Sequence, residues 1–382
     1  LLPGTEAQQL ATYIGWLLHG KRGGLIAGAL FILPGLLCIF ALASAYALLA
    51  DATWVSASLV GLKAAVLAII IQALISISKK ALVSSVHLAI AIAAFLALFV
   101  FAVPFPIVVF MAGLIGVVMA GKSHSSTVSI APLEYAKVRR TLRLKSLAVT
   151  ALIGVLLWQV PVLLSLIPAV PSILPELHLF FSKMALVTFG GAYAVLSYVA
   201  QVFVETKAWV SASEMLDGLA FAEATPGPLV LVLPFISFLA GFDHAGSWSP
   251  FAVALSAGLI TTWATFVPSF LFIFLGAPFV ERINHMPLAK AAMSAITAAV
   301  VGVIANLTLW FAIGILFEKS NRVPLGFLPF GSLPVPELAT LDLVSLGVVL
   351  LSFGLLYWLR FSVLATLSIG LCIGILKMLF LG

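Results

Sequence analysis

Apolar runs long enough to cross a bilayer follow one another along the whole chain, separated by short stretches rich in proline, glycine or charge. Only 8% of the 382 residues are charged, against roughly 25% in ordinary globular domains, so this chain cannot cover a soluble surface. The pattern predicts an all-α integral membrane protein crossing the bilayer many times. The apolar segments fall at 1–18, 24–50, 55–78, 86–103, 105–121, 147–169, 182–204, 226–242, 250–280, 288–316, 340–358 and 360–380. At ~20 residues per span, these twelve candidate transmembrane or half-membrane helices leave no room for a soluble domain. The segments opening at Pro3-Gly4 and Pro226-Gly227 are short enough to be half-helices or re-entrant. Leu1 is not a methionine and no basic region precedes an apolar one, so the start reads as truncated rather than as a signal peptide.

A net charge of +6 would suggest nucleic acid for a soluble protein. In a membrane protein it is a topology signal, because basic residues gather in cytoplasmic loops. Alternating the segments across the membrane puts Lys21, Arg22, Lys79, Lys80, Lys122, Lys137, Arg139, Arg140, Arg143, Lys145, Lys207, Arg282 and Arg360 on one side. Lys183, Lys319, Arg322 and Lys377 fall on the other, and the more basic side is expected to be cytoplasmic. Cys38 and Cys372 lie far apart in apolar runs, and the six histidines never pair at helical spacing, so neither a disulfide framework nor a metal site is expected.

The two halves of the chain repeat each other. LPGTEAQQ at 2–9 answers TPGPLVLV at 225–232, LKAAVLAI at 62–69 answers AKAAMSAI at 289–296, and Pro34 answers Pro268. The growing offset places an insertion near 242–250. The Phe189-Gly190-Gly191 segment would map upstream of residue 1, so the first helix of repeat one is expected to be missing. The division is then a first, N-terminally incomplete repeat at 1–121, a basic cytoplasmic loop and linker helix at 122–181, and a second repeat at 182–382. Two six-helix repeats joined by a single linker helix would be inverted relative to one another.

The repeated Pro-Gly segment, FGGAYAVLSYV from Phe189, Trp209 and Glu214 before EATPGP, LATYIGW after LPGTEAQQ, and the paired KAA helices resemble the chromate ion transporter family in its long two-repeat form. The likeness covers essentially the whole chain, which departs from the pattern in lacking the first FGG helix and in reading Pro3-Gly4-Thr5. The resemblance implies a secondary transporter of chromate, in the direction of efflux across the cytoplasmic membrane. Sulfate or a related oxyanion, taken up or exchanged, is the alternative, since sulfate is also a tetrahedral dianion. A membrane-embedded enzyme or a structural membrane protein is the alternative from another class. No HExxH, GxSxG or paired-aspartate motif is present, so no enzymatic activity and no cofactor is expected. Expected partners are the oxyanion and membrane lipid, with a homodimer left open and no nucleic acid. The phosphate-loop pattern GVVMAGKS at 116–123 straddles an apolar helix end instead of following a strand, and is read as chance.

The candidate substrate residues begin with the two breaks, Pro3-Gly4 and Pro226-Gly227-Pro228. Proline and glycine force a helix to break or start, and a helix starting at membrane depth points unpaired N–H groups at whatever lies before it, which suits an anion. The alternative is a kinked packing helix. Lys63 and Lys290 sit inside apolar segments, where a charge is costly and needs a reason. Lys290, Ser294 and Thr297 share one helical face, as do Ser56 and Lys63, so one lysine per repeat could neutralise a dianion; snorkelling to the headgroups is the alternative. Glu6 and Glu223 flank the breaks as candidates for coupling or gating. Glu214 joins them, although it and Asp217 read better as a helix cap or solvated loop. Phe189, Gly190 and Gly191 offer either close helix packing or an opened backbone.

Overall fold

The computed structural model describes residues 4–49, 52–122, 144–167, 170–188, 191–276, 286–324 and 332–381. Helices dominate them: α1 (Glu6–Leu49), α2 (Thr53–Ala81), α3 (Ser85–Phe99), α4 (Phe105–Lys122), α5 (Leu144–Trp158), α6 (Ile173–Val187) and α7 (Ala192–Ala200). The rest are α8 (Ala212–Ala224), α9 (Val232–Asp243), α10 (Pro250–Gly276), α11 (Pro287–Leu316), α12 (Leu343–Tyr357) and α13 (Val363–Leu381). Helices α1, α2, α10, α11 and α13 are each long and apolar enough to cross a bilayer, and α5 with the following short helix Val160–Leu166 passes the same test only as a pair, bent by 41° between them. The chain is an all-α integral membrane protein. Leu37, Phe110, Leu152 and Leu350 are exposed on its outside, as expected where the surrounding solvent is hydrocarbon.

Three of the expected segments behave differently from the rest. Segments 1–18 and 24–50 are joined in α1, whose helix is interrupted at His19 and Gly20, the latter at φ +63°. Glycine adopts that φ without a Cβ clash, and the chain turns back on itself there. The two arms then pack so closely that a Cβ at Gly15 would lie 2.5 Å from the Gly23 carbonyl oxygen. Segment 182–204, expected as one span, is instead divided between α6 and α7, which fold against each other as a hairpin. Phe180 lies 5.3 Å from Tyr198 and Phe181 5.6 Å from Phe203, ring to ring, and Lys207 after α7 pairs with Glu176 at the start of α6 at 2.8 Å. The hairpin returns to the side it came from. Lys207 therefore leaves the basic side assigned to it by alternation. Gln201 Nε2 donates to the Ala102 carbonyl, in the α3–α4 connection on the opposite side.

Corresponding helices of the two halves pack crosswise. Helix α2 lies against α12 and α13, α11 lies against α3 and α4, and α2 and α11 touch each other between them. Small residues permit this closeness, which in lipid must come from packing rather than from expulsion of water. A Cβ on Gly370 would sit 2.7 Å from the Gly61 carbonyl oxygen, and one on Gly116 would sit 2.5 Å from that of Ala291. Gly116, the first glycine of the phosphate-loop pattern, is thus a packing residue within α4. One small sheet departs from the all-helical pattern among the described residues. It is an antiparallel ribbon of β1 (Ser320–Pro324) and β2 (Ser332–Pro336) in the connection from α11 to α12.

Candidate functional site

Three chain reversals lie around one cavity. The first is at Gly4 (φ +116°), just before the first arm of α1, and its N–H donates to the Thr188 carbonyl at 3.1 Å. The second is the tip of the α6–α7 hairpin, where Gly191 has φ +92°. The third is Gly227 (φ +131°), the tip of a hairpin formed by α8 and α9. There Phe221 and Phe235 rings stand 5.4 Å apart, and a Cβ on Gly218 would come within 2.7 Å of the Phe235 ring. The break at Pro226 is therefore a reversal of direction and not a kink in a continuous helix. Pro3, Phe189 and Gly190 lie outside the described residues.

Each Pro-Gly break rests on the proline-bearing helix of the other half. Thr5 N–H donates to Ser269 Oγ at 3.3 Å, directly after Pro268 in α10. Gly35, directly after Pro34 in α1, lies so near the Pro226 carbonyl oxygen that a Cβ there would collide with it. The Thr5 end is held by a buried polar chain in which Thr5 Oγ1 reaches Gln8 Oε1 at 3.1 Å and Gln8 Nε2 donates to Thr12 Oγ1 at 3.0 Å.

Between the reversals lies a cavity of about 200 Å³. Its wall takes in Glu6 and Ala7 at the start of α1, Gly191 and Ala192 at the start of α7, and Pro228, Leu229 and Val230 at the start of the turn leading into α9. Three threonines, Thr5, Thr188 and Thr265, add hydroxyls, and Met184 and Val195 add apolar surface. The first N–H groups of a helix have no acceptor within it, so three helix starts facing one cavity supply several free donors and the positive ends of three dipoles. Among the described residues, no lysine or arginine lines it. The arrangement suits an anion held by neutral donors, with Glu6 the one carboxylate on the rim among the described residues.

The two lysines are not part of that wall. Lys63 pairs with Asp217 at 3.1 Å and donates to Ser213 Oγ at 3.0 Å, while Tyr46 donates to the other Asp217 oxygen at 2.9 Å. Asp217 is 2% exposed, which overturns its reading as a solvated loop or cap. A lysine neutralised by a buried carboxylate has no charge to spare for a dianion. Lys290 is exposed in the first turn of α11, Ser294 bonds His87 across to α3 at 3.1 Å, and Thr297 donates to its own helix at Met293. Glu214 is the capping residue expected of it: its carboxylate accepts from Ser211 N–H, and Ser211 Oγ accepts from Glu214 N–H. Glu223, in the last turn of α8, accepts from Tyr193 in the first turn of α7 at 2.5 Å and so ties two of the three reversals together. The importance of Asp217 was hidden because residues 212–224 carry three carboxylates and do not register as an apolar segment.

The family model described as chromate transporter matches residues 1–117 and 175–375. The chromate transport protein of Pseudomonas aeruginosa is 30% identical over 81% of this chain and 68% of its own length. The probable chromate transport protein of Synechococcus elongatus is 26% identical over 80% and 70%, and an uncharacterized transporter of Methanocaldococcus jannaschii is 25% identical over 82% and 72%. No solved structure matches.

Proposed function

The chain belongs to the chromate transporter family, and on that ground we propose that it is a secondary transporter moving chromate outward across the cytoplasmic membrane. The observation that carries the substrate reading is the cavity where three helix starts converge, because neutral donors and dipole ends replace the hydration of a tetrahedral oxyanion. Substrate held where helices are interrupted is the arrangement expected of transporters built from inverted repeats. The crosswise packing of α2 with α12 and α13, and of α11 with α3 and α4, supports two such repeats, the second beginning at α6 rather than at 182. Lys63 then serves the framework through Asp217 and Ser213, and neither lysine is in the cavity wall. Outward movement fits the physics of the membrane potential: an interior-negative 100 mV favours export of a dianion by about 4.6 kcal/mol, twice the value for one charge. In this reading Glu6 on the cavity rim, and Glu223 bonded to Tyr193 in the first turn of α7, exchange protons with the transport cycle.

The test is flux of labelled chromate and labelled sulfate in inverted vesicles, with the potential and the proton gradient set independently. Chromate uptake into inverted vesicles, driven by an interior-positive potential, is expected. Flux of sulfate alone would replace chromate as the substrate, and flux of neither would remove the transport reading.

A further inference from the structure

Of the three hydroxyls in the cavity wall, two are already committed. Thr188 Oγ1 donates to the Met184 carbonyl at 2.6 Å, and Thr5 Oγ1 is bonded to Gln8 and Ser269. Thr265 is different. It is 4% exposed, and its Oγ1 has no hydrogen-bond partner. A threonine in an apolar helix ordinarily donates to the carbonyl one turn back, and Thr262 in the same helix does so at 2.8 Å, as does Thr308 in α11 at 2.7 Å. Thr265 forgoes that bond and lines the cavity instead. Thr261 and Ser237 also have unpartnered hydroxyls but do not line it. A buried donor left unmade is expensive unless something outside the protein accepts from it.

We propose that the Thr265 hydroxyl donates directly to an oxygen of the transported oxyanion, making it the side-chain donor that α10 contributes to substrate selection. This rests on the cavity being the substrate site. In chemical terms the ligand is a small oxyanion whose oxygens accept from one hydroxyl and from the N–H groups at the starts of α1, α7 and the turn before α9. Thr265 also sits one helical turn before Ser269, the residue that anchors the Thr5 break. The same stretch of α10 thus holds one helix start in place and presents its own donor to the ligand.

The experiment uses the full chain purified in detergent, with labelled chromate as the probe and thermal unfolding measured alongside. Thr265→Val removes the hydroxyl at nearly constant shape and is expected to weaken chromate binding about 10- to 150-fold, the range for a lost donor to a charged acceptor. Thr265→Ser keeps the hydroxyl and should bind within a few-fold of wild type. Without chromate, Thr265→Val should melt no lower than wild type, since an unpartnered polar group has been replaced by a methyl. Should valine impair folding, Thr265→Ala read against Thr265→Ser makes the same comparison. Wild-type affinity in Thr265→Val, or equal losses in valine and serine variants, overturns the proposal. Ala7→Phe, which fills the cavity from its exposed lip, separates the two claims. If it abolishes binding while Thr265→Val does not, the cavity stands and Thr265 falls; if both variants bind as wild type, both fall.

Discussion

Removing either partner of the Lys63–Asp217 pair should harm the protein more than removing both. The carboxylate is almost wholly buried and is shared between Lys63 and Tyr46, so Lys63→Met strands a charge. Breaking such a pair costs about 3 to 5 kcal/mol, whereas replacing both members is often close to neutral. Thermal unfolding of Lys63→Met, Asp217→Asn and the double variant should therefore show the double variant as the most stable of the three. A second carboxylate gives a pH-dependent prediction. Asp342 caps α12, accepting from the N–H groups of Val344 and Ser345, and pairs with Lys377 at 2.9 Å. Burial pushes its carboxyl up, but Lys377 and Ser345 together outweigh burial and hold it below the ordinary carboxylate value. A depressed folded value means that the stabilisation is complete above the unfolded pKa, about 3.9, and disappears as pH falls through the folded one. Asp342→Ala should lower stability at pH 7 by about 0.5 to 2 kcal/mol. The difference from wild type should shrink on acidification, and a constant gap down to pH 3 would contradict this.

The hairpin tips set different tolerances at adjacent positions. Pro226 is exposed, and Pro226→Ala should fold normally. Gly227 has φ +131°, and a Cβ there would lie 2.9 Å from Leu231 Cδ1, so Gly227→Ala should cost more than 1 kcal/mol and lower the melting temperature. Equal melting temperatures for the two variants would mean that the tip is not strained as described. These tips also mark the boundary of what could be read before the structure. Proline and glycine in an apolar run announce a break, and the matching breaks at Pro3-Gly4 and Pro226-Gly227 were legible from the repeat. The direction of the chain after a break was not. Residues 182–204 are equally apolar whether they cross or return, and only tertiary contacts, Lys207 with Glu176 and the Phe180–Tyr198 and Phe181–Phe203 ring pairs, separate the cases. The tertiary pairing of Lys63 was invisible for a related reason: Asp217 lies 154 positions away in sequence, and no local spacing links the two. Likewise Thr265 has an ordinary helical setting in sequence, and only the cavity distinguishes it from Thr262.

Taken together, the two hairpins restore the alternation that one of them alone would break. Hairpin α6–α7 enters and leaves on one side, and α8–α9 does the same, so α10 still starts where simple alternation would put it. Lys207 changes sides, yet the basic bias survives because Lys21, Arg22, Lys79, Lys80 and Arg360 remain together. Lys79 lies over the Tyr357 ring at 5.6 Å, and Lys21 bonds Thr150 near the start of α5, joining those ends of the bundle. The proposed inverted arrangement then makes a discriminating forecast. After replacement of Cys38 and Cys372 by serine, single cysteines at positions 79 and 360 should be protected from an impermeant thiol reagent in whole cells, while cysteines at 207 and 319 should react. Position 207 carries the argument, because a single span from 182 to 204 requires it to be protected along with 79. Reaction at 207 with protection at 79 is the signature of a hairpin entering from outside. The first arm of α1, which answers α9 in the repeat, leaves the cavity toward the Lys21 side, so the two Pro-Gly breaks reach the cavity from opposite faces. That is the geometry alternating access requires. Protection at both 79 and 207 would make α6 and α7 parts of one crossing, move the Gly191 end out of the cavity wall, and leave the anion without one of its three helix starts.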